Sequence, residues 1–253
     1  MKTLLIIPDC QTKPGKPVSH LDWLGRYILH VKPDIVVNLG DFFDLPSLSS
    51  YDKGTALIEG KRVAEDIEFS KNALSLITAP TNKYNKKVQE HKRYEPRLVF
   101  LLGNHEQRLE RYVNANPELI GLLSYDSLGI REQGWELHDF LKVVNIEGIL
   151  FSHYFANPMS GRPYTGRSYS LLQRIGRSFV QGHRQELDYA CRELVDGTRQ
   201  FGLVAGAFYQ HDEEYKGYQG NKHWRGVVVL HETQNGWGDA MFVSLDYLSR
   251  KYG

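Results

Sequence analysis

The sequence predicts an α/β fold in which two β-sheets pack together with helices outside. Three observations predict it. Apolar runs at residues 4–7, 35–39 and 98–102 are bounded by polar or turn residues, as buried strands are. Helical periodicity fills the intervals between them. From residue 135 onward the chain turns to short, closely spaced strands separated by turn signals. A length of 253 residues is enough for one sizeable core, so a single domain over residues 1–253 is expected.

Residues 4–7 are the first strand, followed by a polar turn at 12–17. Leu21, Leu24, Ile28 and Val31 recur at helical spacing over 18–31, and Pro33 ends that helix. Residues 35–39 are the second strand. Strand, helix, strand in this order is a βαβ unit, which makes the sheet parallel there. A long helical and basic insertion spans about 42–97. It holds a loop with Pro46 and several serines, a helix over about 57–77, and a basic stretch at 81–97 that reads as a solvated loop. The strand at 98–102 leads into helical sequence at 107–114 and 117–125. Short strands follow at 135–140, 142–146 and 149–153, with Glu147-Gly148 as a hairpin turn. Residues 164–176 read as a helix and 178–181 as a strand. Strands at 187–194, 201–209, 227–231 and 241–245 complete the chain, the last two joined by a hairpin at Asn235-Gly236.

Composition narrows the class. A hydrophobic content of 41% and a charged content of 24% are ordinary for a globular chain. A net charge of +1 excludes a strongly cationic scaffold. Cys10 and Cys191 cannot build a disulfide framework and suggest a reducing compartment. The first apolar run ends at Pro8 and Asp9, too early for a signal sequence. No stretch approaches the ~18 apolar residues of a membrane span. A soluble, cytoplasmic protein with no membrane partner is expected.

Five polar signatures sit at the ends of apolar runs. They are Asp9-Cys10-Gln11, Gly40-Asp41, Gly103-Asn104-His105-Glu106, Ser152-His153 and Gly182-His183-Arg184-Gln185. Strands of this kind deliver their carboxylates, amides and imidazoles to the carboxyl edge of a sheet, where open α/β folds place their sites. Two carboxylates, an amide oxygen and two imidazoles suit one or two divalent transition metals. Alone, Asp9 reads as a capping carboxylate, Asp41 as a turn residue and His153 as a satisfied histidine; their order along one chain favours the ligand reading. Alternation along a strand points Cys10 away from its neighbours. His211 and His231 fall on late strands and read as packing residues.

The order of these signatures resembles the calcineurin-like metallophosphoesterase superfamily, whose motifs run Asp-x-His, Gly-Asp, Gly-Asn-His-Glu/Asp, a lone His and Gly-His-x-His. The resemblance implies a four-layer αββα sandwich of two mixed β-sheets flanked by helices. It also implies a two-metal site that hydrolyses phosphate esters by metal-activated water. On that resemblance Asp41 bridges the metals, Asn104, His153 and His183 complete one shell, and Asp9 binds the other metal. His105 is then not a ligand but a catalytic donor to phosphate oxygen. Arg108 or Arg111, on the helix after Gly103, would reach phosphate.

Two departures stand out. Gln11 and Gln185 occupy positions where the superfamily has histidines serving the same metal as Asp9. Amide oxygens are weaker and harder ligands than imidazole, so Gln11 and Gln185 are either weak ligands or hydrogen-bonding neighbours of ligands. A loosely held second metal follows, with Mn²⁺ the expected ion and Mg²⁺, Fe or Zn²⁺ as alternatives.

The substrate signals are mixed. Gly40-Asp41-Phe42-Phe43-Asp44 is similar to the repair-nuclease form of its motif, whereas Gly-Asn-His-Glu is the phosphatase form. Residues 154–185 carry Arg162, Arg167, Arg174, Arg177 and Arg184 with no acid, interleaved with Tyr154, Tyr164 and Tyr169. This segment joins two proposed ligands, so Arg162 and Arg167 are expected to bind substrate together with Arg108. Arginines and aromatics beside a metal suit a base-bearing polyanion. A phosphodiesterase or nuclease acting on DNA, RNA or a nucleotide is expected. The alternatives are a phosphomonoesterase acting on protein or nucleotide, and a catalytically weakened binding module.

Overall fold

The computed structural model describes residues 1–50, 54–213 and 216–253. Residues 51–53, within the loop of the expected insertion, lie outside the described residues. Two mixed sheets form the middle of the molecule. The first is six-stranded. Its parallel core is Lys2–Ile7 (β1), Ile35–Asn38 (β2), Arg97–Leu101 (β3) and Glu136–His138 (β4). Gly226–Gln234 (β10) pairs antiparallel with β1, and Trp237–Ser244 (β11) pairs antiparallel with β10. The second sheet runs β5-β6-β7-β9-β8, formed by Val144–Ile146, Ile149–Phe151, Phe179–Gln181, Arg199–Ala205 and Leu187–Glu193 in that order. Its inner strands β6, β7 and β9 are parallel, and its edges β5 and β8 are antiparallel.

Period-two alternation divides each strand between two cores. Leu4 and Ile6 of β1 face inward and pack with Val37 and Leu101 against Ile149, Phe151, Val180 and Leu203 of the second sheet. Leu5 and Ile7 face outward, with Val36 and Phe100, beneath three helices. These are Ser19–Val31 (α1), Val63–Asn85 (α2) and Leu245–Tyr252 (α6), which contribute Leu21, Leu24, Leu74, Ile77 and Leu248. On the far face, Ser168–Ile175 (α4) seats Leu171 and Leu172 on Phe179 and Val204. Helix, sheet, sheet and helix make the expected αββα sandwich. Two smaller helices, Gln107–Ala115 (α3) and the single turn Gly217–Gly220 (α5), lie at the site end and in a late connection.

Several boundaries differ from the sequence reading. The helix expected over 57–77 begins at Val63, after a 3₁₀ turn at Ala56–Ile58, because Gly60 adopts φ +75° between them. It then runs through Pro80 to Asn85, so the start of the basic stretch is helical rather than loop. Packing explains this: Gly25 of α1 has no Cβ, and one added there would lie 2.6 Å from the Ile77 carbonyl oxygen and 2.9 Å from Pro80 Cγ. The helical sequence expected at 117–125 forms the 3₁₀ turn Pro117–Leu119 and, at its last residue, the start of another at Tyr125–Leu128. Helix α6 was not expected; Ser244 starts it by accepting a hydrogen bond from the Tyr247 amide. Both hairpins form as expected, with φ positive at Glu147 and Gly148 and at Asn235 and Gly236. Among the described residues no helix is long and apolar enough to cross a membrane.

Candidate metal centre

The five signatures meet at the carboxyl ends of β1, β2, β3, β6 and β7. Their glycines bring the loops together. A Cβ on Gly103 would lie 2.2 Å from Asp41 Oδ1, and one on Gly182 would lie 2.5 Å from Asp9 Oδ1. Asp41, His183, Gln11 and Gln185 all hold left-handed φ values, at +50°, +68°, +43° and +58°. Such conformations cost free energy for non-glycine residues and cluster where a fold fixes functional groups.

Glu106 holds two of these loops together. It is fully buried. Its Oε2 accepts hydrogen bonds from the Gly103 and Asp41 amides at 2.8 and 2.9 Å, and its Oε1 accepts one from Phe43 at 2.9 Å. Burial, and then the nearby Asp41 carboxylate, push its pKa up. This role was not legible in the sequence, where Glu106 reads as an acid at a helix start.

Asp41, Asn104, His153 and His183 converge. Asn104 Oδ1 lies 3.0 Å from His153 Nε2 and 2.8 Å from His183 Nδ1. Asp41 Oδ2 is 3.4 Å from His153 Nε2. Ligand atoms of Asp41, His153 and His183 lie within 4.8 Å of one another. His153 Nδ1 donates to the Leu39 carbonyl at 2.8 Å, which turns Nε2 toward the others. Asp9 stands beside this group, with Oδ1 accepting from the His183 amide at 3.0 Å and Oδ2 buried without a hydrogen-bond partner. An orphaned carboxylate oxygen and a carbonyl oxygen facing two imidazoles fit a divalent cation.

The electrostatics agree. Burial alone would raise the Asp41 pKa, but the His153 and His105 imidazoles outweigh it and hold it well below the carboxylate range. Burial opposes a charged His153, yet Asp41 raises that imidazole to about 9. Asp9 is pushed up to about 7 by burial and by Asp41. The carboxylate field that favours a proton on His153 equally favours a divalent cation, and the two compete.

His105 stands over this group, with Nε2 3.7 Å from Asp41 Oδ2. Its Nδ1 pairs with Asp44 Oδ1 at 2.8 Å, and Arg108 Nη2 lies 3.3 Å from its Nε2. Asp44 also accepts from Arg108 Nη1 at 3.0 Å and from Lys13 Nζ at 2.7 Å. Lys13 reaches on to Glu213, which pairs with His211 at 2.6 Å. Asp44, Lys13 and Glu213 received no role from the sequence. Only the folded chain brings Lys13 and Glu213 together, and no local pattern announces it.

A cleft of about 1160 Å³ opens beside these groups. Its lining includes Gln11, Asp41, Asn104, His105, Arg108, His183 and Gln185, together with Lys61 and Arg62 from the insertion. Arg162 and Arg167 are not among the lining residues. They belong to the loop leading into α4, and the nearby Arg174 and Arg184 bond to the Thr165 and Gly166 carbonyls. Cys10 points into the core, as alternation required.

Residues 2–187 match the family model described as calcineurin-like phosphoesterase. The chain belongs to this family. The gene 54 proteins of Mycobacterium phages D29 and L5 are each similar to it, at 28% identity over 197 and 187 residues. Each alignment covers 72% of this chain and 68% of the phage protein. Membership makes this calcineurin-like phosphoesterase a metal-dependent hydrolase of phosphoesters, and the Asp41–His153–His183 group is a place for the metal. Asp212 and Glu213 line the cleft and lie beyond the matched residues, so part of the cleft is built by sequence outside the family match.

Proposed function

We propose that the protein is a divalent-metal-dependent phosphodiesterase acting on nucleotides or nucleic acids. One observation carries the reading: two donors converge beside the candidate metal centre. Burial opposes a charged His105, but Asp41 and the hydrogen bond to Asp44 outweigh it and raise its pKa. Its Nε2 lies 3.3 Å from Arg108 Nη2, and a phosphate oxygen placed between them would accept from the guanidinium and from the protonated imidazole.

In this reading Asp41, Asn104, His153 and His183 hold one cation. Asp9, with Gln11 and Gln185, offers a second and weaker position. Mn²⁺ suits this oxygen-rich set. A bound divalent cation polarises the phosphoryl oxygen and lowers the pKa of water. His105, oriented by Asp44, binds the phosphate and gives its Nε2 proton to the departing ester oxygen. Arg108 neutralises the same phosphate. Burial of Asp44 together with Arg108 and Lys13 fixes both donors before substrate arrives. A cleft of about 1160 Å³ accommodates a nucleotide or a length of chain rather than a bare phosphate.

The test is a parallel Mn²⁺ assay on single- and double-stranded DNA, RNA, cyclic nucleotides, bis-p-nitrophenyl phosphate and a phosphopeptide, with Asp41→Asn as control. Turnover of diesters that Asp41→Asn abolishes supports the reading. Dominant phosphopeptide turnover with intact nucleic acids replaces it with a phosphomonoesterase. Less than one metal per chain at saturating Mn²⁺ replaces it with a binding module.

A further inference from the structure

The position beside Asp9 differs from its neighbour in ways that extend the metal-dependent reading, on which this inference rests. Among the described residues, the cluster of ligand atoms is Asp41, His153 and His183, without Asp9. Where the superfamily pattern has imidazoles, this chain has Gln11 and Gln185. The Gln185 carbonyl is engaged: Tyr209 Oη donates to its Oε1 at 2.8 Å. That hydroxyl in turn accepts from Lys216 Nζ at 3.1 Å.

The direction of this relay is fixed by proton count. An ammonium only donates, so Tyr209 must accept from Lys216, leaving one phenol proton to give. His223 Nε2 is 3.3 Å from the same oxygen, whereas its Nδ1 lies 2.8 Å from the Gly220 carbonyl. The nearer acceptor for the phenol proton is Gln185. Tyr209 cannot swing aside, because it is fully buried and stacked on His211 with ring centroids 4.8 Å apart. The Arg225 guanidinium sits 4.8 Å from its ring centroid and donates to its carbonyl. Burial lowers the Lys216 pKa, and Asp9 is the largest influence opposing that fall. The Lys216 ammonium thus feels the Asp9 carboxylate through space.

We propose that the Lys216–Tyr209–Gln185 relay, whose Lys216 and Tyr209 come from sequence beyond the family match, takes over the charge of a second metal beside Asp9. The chain then holds one divalent cation tightly at Asp41, Asn104, His153 and His183 and admits a second only weakly. Two effects produce this: a fixed positive charge repels the incoming cation, and an engaged carbonyl is a poorer ligand.

The experiment is a Mn²⁺ titration by calorimetry, with metal content by mass spectrometry, on the metal-stripped full chain and on Lys216→Met and Tyr209→Phe. The wild-type chain is expected to bind one Mn²⁺ tightly. Lys216→Met should tighten the second by about tenfold or more, since it removes a nearby unit charge. Tyr209→Phe keeps the packing and removes only the hydroxyl, and it should shift the second affinity in the same direction. Two Mn²⁺ bound with like affinity by the wild-type chain would overturn the proposal, as would a second affinity unmoved in both variants. Less than one Mn²⁺ per chain would instead overturn the metal-dependent reading beneath it.

Discussion

Glu106→Ala is expected to destabilise the protein by about 3–5 kcal/mol and to weaken metal binding, although Glu106 is no ligand. The residue accepts three backbone hydrogen bonds, from Gly103, Asp41 and Phe43, at 2.8–2.9 Å in a site with no exposure to water. Each buried donor left unpaired costs about 1–3 kcal/mol, so three give roughly 3–9 kcal/mol. Relief of repulsion between the Glu106 and Asp41 carboxylates, together with water entering the space, offsets part of this and brings the net toward the lower end. Glu106→Gln keeps the shape and one acceptor oxygen. Its amide oxygen can retain Gly103 and Asp41, while its NH₂ opposes the Phe43 amide, so one bond is lost and the cost is about 1–3 kcal/mol. Urea denaturation in chelator measures the two stabilities, and Mn²⁺ calorimetry measures the loss of metal affinity as the Asp41 loop relaxes. Destabilisation below about 1 kcal/mol for Glu106→Ala, with unchanged Mn²⁺ affinity, would refute this reasoning. So would a Gln variant less stable than the Ala variant.

Three further outcomes follow from the same geometry. Asp41→Asn and His183→Ala should lose metal and activity together, whereas His105→Ala should keep its metal and slow turnover by about 10²–10⁴, the range for a positioned acid; metal analysis beside kinetics separates the two, and metal lost from His105→Ala contradicts the assignment. Gln11→His should tighten the second Mn²⁺ by restoring an imidazole beside Asp9, and an unchanged titration would show that Gln11 does not face a cation. Burial lowers His20 to about 4 from 6.5, so it folds neutral. Between these values the unfolded chain binds the proton that the folded chain refuses; stability is intact above pH 6.5 and falls by up to about 3 kcal/mol as pH drops to 4. His20→Leu should flatten this part of the stability curve, and parallel wild-type and variant curves would rule the assignment out.

The sandwich was legible because its strands are apolar runs ended by turn residues, and because period-two alternation sends Leu4 and Ile6 to one core and Leu5 and Ile7 to the other. The start of α2 was not, since Leu57 and Ile58 continue its apolar pattern while Gly60 breaks the backbone. Its end was missed because Pro80 reads as a breaker, whereas contact with the Gly25 notch of α1 decides the outcome. The grouping of Asp41, Asn104, His153 and His183 was implied by the resemblance of the five ordered motifs, not by periodicity or spacing alone. Arg162 and Arg167 are not among the residues lining the cleft, because a segment joining two site residues need not line the site between them, and this one leads into α4. Lys13, Asp44, Glu213 and Lys216 stayed hidden because their meaning lies in pairings between distant parts of the chain.

These pairings also explain how a site with so many like charges holds together. Asp9, Asp41, Asp44 and Glu106 are four buried carboxylates in one region, an arrangement that burial and mutual repulsion oppose. Each is served differently. Glu106 takes three backbone amides, Asp44 takes Lys13 and Arg108, and Asp41 takes the His105 amide and the two imidazoles. Asp9 is the least satisfied, with one oxygen on the His183 amide and the other without a hydrogen bond. The carboxylates served by fixed cations or amides hold the frame, and the under-served ones face the place where a cation arrives. Left-handed backbone at Asp41 and His183 keeps those groups from relaxing toward better partners. The fold thus spends its hydrogen bonds on the surrounding loops and leaves the ligand oxygens deficient, a deficiency that a divalent cation and a phosphate together relieve.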